Sequence, residues 1–162
     1  MIAAYPGSFD PFTKGHLDIL CRASTLFETV YVMVSNNQNK THYFTPTERK
    51  TIIEKPLTDV IGGDNIKVVT HTGVTADFLS ALEVDVVVRG VRNATDLNYE
   101  IKLEQYLRAT TPAETIYLTP MTENLNTSAT LVRMFLITGR LAQVEPFVTE
   151  SAFAYLSEFK QF

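Results

Sequence analysis

Nine consecutive residues, Ser8 to His16 (SFDPFTKGH), bring a hydroxyl, a lysine, a glycine and an imidazole together between an apolar run, Ile2 to Tyr5, and an amphipathic one. The chemistry that such a set serves is the handling of phosphate. Pro6 and Gly7 end the first run in a turn, where glycine permits close approach of the backbone and Ser8 offers a hydroxyl and an amide. Thr13, Lys14, Gly15 and His16 then open a helix whose positions Leu17, Leu20, Cys21, Ser24 and Phe27 mostly follow the three-four spacing of a buried face. Free amides and the dipole at such a helix start attract anions, and an imidazole there can donate to a phosphate oxygen without covalent chemistry. A histidine in that place is also a plain cap or surface residue, and position alone does not separate the two.

Other segments offer the same kind of chemistry. Arg89, Gly90, Val91 and Arg92 leave an apolar run with two guanidinium groups three residues apart, which suits phosphates and is equally the pattern of two solvated arginines. Lys40 precedes Phe44 by four residues in the stretch NNQNKTHYF, and a flexible ammonium there can follow a phosphate during transfer. Gly73 to Phe78 (GVTADF) reads as a helix start, and Thr127, Ser128, Ala129 and Thr130 as a hydroxyl-rich one. Asp96 is the expected N-cap of the helix after Arg92, while His42 and His71 read as structural or surface residues. Neither GxxxxGK nor GxGxxG occurs in the chain.

The elements that must position these groups are β-branched runs at Ile2 to Tyr5, Val30 to Val34, Ile66 to Thr70, Val84 to Val88 and Ile116 to Leu118. Helical patterns separate most of them, so the predicted fold is α/β: one doubly wound, Rossmann-like domain over residues 1–162, with a five-stranded parallel sheet flanked by helices. The unalternating Val84 to Val88 run predicts a central strand. Thr45, Pro46, Thr47 and Glu48 form a capping box that opens a helix from about Pro46 to Leu57, with Pro56 awkward near its end. Gly62 to Asn65 is a predicted surface turn. In open sheets ligands lie beyond the carboxyl ends of strands, and the segments from Ser8, Asn36, Thr72, Arg89 and Asn124 each follow one predicted strand.

Composition narrows the function classes. A length of 162 residues with 45% hydrophobic residues suits one globular core, and a formal charge of −4 gives no basic surface for polymeric nucleic acid. Cys21 alone cannot form an internal disulfide and is expected as a buried, inert thiol, in a cytoplasmic protein. No signal-like N-terminus or membrane-length apolar run appears, so no membrane is expected, and no carboxylate cage or His/Cys spacing marks a metal site.

Together the strings resemble one family. SFDPFTKGH carries the (H/T)xGH signature of the nucleotidyltransferase superfamily and is similar to the SFDPxTxGH of phosphopantetheine adenylyltransferases. RGVRNATDLNYE matches that family's RGxRxxxDxxYE at each fixed position, NNQNKTHYF resembles its NPxKxxxF loop, and GVTADF its GLTVDF segment. Thr127 to Arg133 resembles a worn form of its ISSSxxR helix start, and the similarity runs from Ile2 to about Phe159.

The resemblance implies adenylyl transfer from ATP to 4'-phosphopantetheine, giving dephospho-coenzyme A and pyrophosphate, with His16, Lys40 and Arg92 stabilising charge on the transferring group. It implies an ATP site of Ser8, Phe9, His16, Gly90, Val91, Arg92, Glu100 and Asn124, Leu125, Asn126, Thr127, Ser128, Ala129 and Thr130. The acceptor would meet Ser8, Lys40, Thr75 and Arg89. Mg²⁺ would accompany ATP, held mainly by its phosphates and water. A homohexamer and feedback binding of coenzyme A are further implications, and the aromatic tail (Phe147, Phe153, Tyr155, Phe159, Phe162) would pack on the core or between subunits.

The chain departs from the family at Ala129, Asn124, Asn126, Thr127, Thr41 and Leu107, the last standing where asparagine is usual. One lost charge-assisted hydrogen bond to phosphate costs about 1.5 to 3 kcal/mol, enough to alter nucleotide affinity or choice. Two alternatives stay open: the same transfer to another acceptor, such as nicotinamide mononucleotide or a phosphorylated polyol with CTP, and a nucleotide- or coenzyme A-binding regulator without turnover. Lys40 with Phe44, GVTADF and RGVRNATDLNYE favour phosphopantetheine, whereas the altered Asn124 to Thr130 segment motivates the regulator.

Overall fold

The β-branched runs form five strands: β1 (Ile2–Gly7), β2 (Thr29–Ser35), β3 (Ile66–His71), β4 (Val86–Gly90) and β5 (Glu114–Leu118). The computed structural model describes residues 1–36, 41–58 and 63–159. All pairings are parallel, in the order β3-β2-β1-β4-β5, so the chain winds outward from β1 to β3 and then crosses back to β4. The crossovers are α1 (Lys14–Leu26), α2 (Pro46–Leu57), α3 (Thr75–Ala81) and α4 (Ala94–Thr110), followed by α5 (Ala129–Ile137) and α6 (Glu150–Glu158).

Alternation along the strands assigns the helices to faces. Ala3, Tyr5, Val86 and Val88 pack with Leu20 of α1, Ile52 of α2, Leu136 of α5 and Leu156 of α6. Ala4 and Val87 point the other way, against Leu79 of α3 and Leu107 of α4. Each face is thus covered, as the unbroken apolar runs require. Of the aromatic tail, Phe147, Phe153, Tyr155 and Phe159 pack against the larger cluster, Phe159 meeting Phe44 edge-on at 5.6 Å between ring centroids. Phe162 and Gly62 lie outside the described residues. No helix among the described residues is long and apolar enough to cross a membrane.

Several local expectations need correction. β1 runs through Pro6 and Gly7, which pair with Met33 and Val34. Proline is tolerated in this interior strand because the ladder to β4 has already ended, so its missing N–H costs no bond there. β4 starts two residues later than expected and is an interior strand beside the middle one, β1. Cys21 is partly exposed; Ile19, Leu20 and Ala23 are the buried residues of α1, and burial together with nearby Asp18 pushes its thiol pKa up. The helix from Pro46 to Leu57 forms as expected, with Thr45 N–H donating to Glu48 Oε2 at 2.7 Å, and Pro56 is accommodated in its last turn.

Gly7 lines the cavity described below and has a second reason beside the close approach of a ligand. A Cβ there would lie 2.7 Å from Phe9 Cζ, and that ring is held edge-on by Tyr5, Phe12 and His16. Gly7→Ala is therefore expected to destabilise the fold by about 1 to 3 kcal/mol, read by urea denaturation; unchanged stability would show that the Phe9 ring has room to move.

Candidate active site

β1 and β4 pair only at Ala3 with Val86 and Ala4 with Val87, and beyond those pairs the strands part. The order of connection reverses at this place, which is where an open parallel sheet leaves a crevice at its carboxyl edge. A cavity of about 1020 Å³ occupies it. All five strand ends contribute: Ser8, Phe9 and His16 after β1, Ser35 and Asn36 at β2, Thr72, Gly73 and Thr75 after β3, Arg89, Gly90 and Arg92 at β4, and Asn124, Thr127, Ser128, Ala129 and Thr130 after β5. Tyr99, Glu100 and Leu103 of α4 complete the wall.

His16 is fixed by the cap of its own helix. Thr13, the N-cap of α1, donates its backbone N–H to His16 Nδ1 at 3.1 Å, with Thr13 Oγ1 3.0 Å from the same nitrogen. Nδ1 is thereby an acceptor, the ring proton resides on Nε2, and the imidazole presents a donor at the cavity wall. Phe9 and Phe12 flank the ring at 5.3 and 5.5 Å between centroids. Burial, and secondarily the charge of Arg92, push its pKa from 6.5 down to about 4, so it is neutral at physiological pH.

Both cavity arginines carry resident acids. Arg92 Nε lies 2.8 Å from Asp96 Oδ2, and Arg92 Nη1 donates to the Thr127 carbonyl at 3.3 Å. This corrects the role expected for Asp96. The N-cap of α4 is Asn93, whose Oδ1 accepts the Asp96 N–H at 2.9 Å, and Asp96 in the first turn reaches back to Arg92. Arg89 Nε sits 3.3 Å from Glu100 Oε2, and its Nη1 reaches the Pro6 carbonyl at 3.5 Å across the parting strands. Burial raises the Glu100 pKa, Arg89 opposes the rise, and Asp96 adds to it. Tyr5, on the same floor, is held protonated by burial.

Not every expected residue reaches the cavity. Val91 is buried, its N–H donating to the Leu118 carbonyl at 3.0 Å, and Leu125 and Asn126 lie off the wall. Lys40 lies outside the described residues. Ser128 and Thr130 do line the cavity: Ser128 Oγ accepts the Leu131 N–H at 3.1 Å as the N-cap of α5, Thr130 Oγ1 accepts from Arg133 Nη2 at 3.0 Å, and each hydroxyl keeps its own O–H to donate. His71, read as structural, does line the cavity, with Nε2 3.1 Å from the Val74 carbonyl.

Behind the lining residues stand side chains to which the sequence motifs assign no role. Arg49, fully buried on α2, donates to the carbonyls of Ser8 at 2.7 Å and Ser35 at 3.0 Å, and to Asn36 Oδ1 at 3.2 Å. Asp10 accepts the N–H groups of Tyr43 and Phe44 at 2.8 and 2.9 Å, and Arg133 binds the Asp10 carbonyl. A signal was present: Arg49 shares the buried spacing of Ile52, Ile53 and Pro56, where a charge is out of place. A smaller cavity of about 280 Å³ adjoins, lined by Val74, Thr75, Arg89, Leu103, Tyr106 and Leu107.

The comparisons with known proteins agree with this geometry. The cytidylyltransferase-like family matches residues 4–135. Phosphopantetheine adenylyltransferase of Leptospira biflexa is 41% identical over 140 residues, 86% of this chain and 86% of its own. That of Burkholderia cenocepacia is 36% identical over 159 residues, 98% of this chain and 93% of its own. Among solved structures, a nicotinic acid mononucleotide adenylyltransferase of Plasmodium falciparum complexed with NaAD shares the fold, with a TM-score of 0.74 at 16% identity over 99% of this chain and 96% of that one.

The depressed His16 pKa sets a pH dependence. The unfolded chain binds more protons than the folded one between about 4 and 6.5, so stability rises with pH across that window and is lost as pH falls through it. Nuclear magnetic resonance titration is expected to give a His16 midpoint near 4 with the proton on Nε2, and His16→Asn should flatten the stability slope; a midpoint near 6.5 would remove the neutral donor.

Proposed function

The chain belongs to the phosphopantetheine adenylyltransferases of the cytidylyltransferase-like family, and we propose that it performs their reaction, adenylyl transfer from ATP to 4'-phosphopantetheine in coenzyme A biosynthesis. The observation that carries this reading is the convergence of the neutral His16, Arg89 and Arg92 on one cavity at the strand reversal. A phosphate oxygen of the acceptor attacks the α-phosphorus of ATP; the bond from that phosphorus to the bridging oxygen breaks, and pyrophosphate leaves. No covalent enzyme intermediate is needed. Positioning and electrostatics supply the rate.

His16 donates from Nε2 to the transferring group, and its neutrality keeps that donor uncharged throughout. Arg92, oriented by Asp96, adds positive charge on the same side, and Lys40 is assigned a share of that task. Arg89 faces both cavities, which suits the acceptor phosphate at their junction, with the arm running past Thr75. Gly90, Ser8, Phe9, Glu100, Asn124 and Thr127 to Thr130 form the ATP side. Ser128 and Thr130 accept protein hydrogen bonds through their hydroxyl oxygens and keep their O–H groups to donate to phosphate, a donor that Ala129 lacks. Leu107 is buried beneath the arm and gives that wall an apolar surface.

Among the described residues no three His, Cys, Asp or Glu side chains converge as a metal cage. Mg²⁺ would enter as a companion of the triphosphate, whose charge it would neutralise, with the protein contributing the cationic wall of Arg89 and Arg92. We assign the chain to the cytoplasm as one domain over residues 1–162, assembled as a homohexamer, with coenzyme A, which shares the acceptor arm and the adenylyl group, as its feedback ligand.

Pyrophosphate release should require both ATP and phosphopantetheine, with dephospho-coenzyme A detected by mass and with CTP and nicotinamide mononucleotide inactive. His16→Ala should lower kcat about 10²- to 10³-fold while ATP affinity changes less than about threefold. Equal losses in both quantities would place His16 in ground-state binding.

A further inference from the structure

We infer that Arg49 is a positioning residue for phosphate binding: by holding the Ser8 carbonyl inward it turns the Phe9 N–H outward as an anion donor. The inference deepens the adenylyl-transfer reading and rests on it. In a trans peptide the carbonyl and the following N–H point to opposite sides, and the chain's cis bond is at Asp10–Pro11, not here. The Ser8 oxygen is bound at 2.7 Å by Nη1 of the fully buried Arg49, so the N–H of Phe9 is directed away from that guanidinium. Among the described residues this N–H meets no acceptor, although Phe9 is 3% exposed and lines the cavity. Buried backbone donors are almost always paired, so an open one facing a cavity marks a place for a ligand oxygen.

The turn does not hold this conformation by itself. Phe9 has φ of 47°, in the left-handed region that bulky residues rarely adopt, and such a conformation persists only where its surroundings fix it. Arg49 supplies one fixture, and Arg133 on the Asp10 carbonyl supplies another. The planar fork of Arg49 spans three acceptors at once: Ser8, Ser35 and Asn36. A lysine ammonium has no such fork. The same group therefore sets the donor in the first loop and the departure of the second, at the strand end that leads to Lys40. Its charge is retained although burial opposes it and Asp10 acts on it only at a distance, beyond any ion-pair contact among the described residues.

The test compares wild type with Arg49→Lys in ligand pairs that differ by phosphate: ATP against adenosine, and phosphopantetheine against pantetheine. The expected result is a loss of about tenfold or more in affinity for at least one phosphate-bearing ligand, its phosphate-free counterpart unchanged, with kcat/KM falling in parallel. Equal losses within each pair, or lowered thermal stability with affinities intact, would make Arg49 a structural residue only and overturn the inference. If Arg49→Lys does not fold, the Phe9 amide resonance of the wild-type chain decides: a shift on adding ATP that adenosine does not produce supports the inference, and an amide indifferent to both ATP and phosphopantetheine overturns it. A wild-type chain that binds ATP but yields no dephospho-coenzyme A would refute the reaction while the binding pairs still judge Arg49.

Discussion

The shortness of the β1–β4 ladder is the constraint on which the rest depends. Two residue pairs hold these strands together, and the chain beyond Ala4 and Val87 is free to diverge. Into that divergence go Tyr5, whose hydroxyl lies against Gly90, and Arg89, whose guanidinium reaches the Pro6 carbonyl. Had the ladder continued to Gly7, there would be no crevice at the reversal of strand order and no wall for Arg92 and His16 to share. The placement of proline at position 6 belongs to the same arrangement, since a residue without an N–H loses nothing on the side where the β4 ladder has ended.

Much of this was legible in the sequence because its physical signals are local. Apolar β-branched runs separated by capped helices fix the strand count and parallel sense, and motifs at successive strand ends must then meet at one edge. The Thr45–Glu48 box placed α2 correctly because both halves of its hydrogen-bond pair are sequence neighbours. What was missed depends on contacts between distant segments. Arg49 and Ser8 are 41 residues apart, Arg133 and Asp10 are 123 apart, and nothing local in either arginine's helix names its carbonyl partner. Asp96 was misassigned for a related reason: Asn93 and Asp96 both suit a cap, and the choice is settled by Arg92, which needs the carboxylate one turn further on.

Gly7 and His16 show how one residue type acquires its reason only in three dimensions. Gly7 lines the cavity as expected for close approach, and its missing side chain also makes room for the Phe9 ring, which in turn flanks His16. The imidazole is thus packed from the side and hydrogen-bonded from behind by Thr13, leaving one nitrogen for the cavity. Rigid support of this kind is what a polar donor requires if it is to act without reorganisation.

The pairing of Arg89 with Glu100 and of Arg92 with Asp96 bears on how polyanions enter and leave. Both acids come from the first two turns of α4, so each guanidinium has a counter-ion built into the adjoining helix. An arriving phosphate exchanges for part of an existing interaction instead of meeting a bare cation, and a departing one hands the guanidinium back to its carboxylate. The cavity is in this sense charge-buffered: it gives up some ground-state attraction and is spared the trapping of a triphosphate or pyrophosphate by an uncompensated field. Turnover of highly charged ligands at low ionic strength is the circumstance in which that compromise matters most.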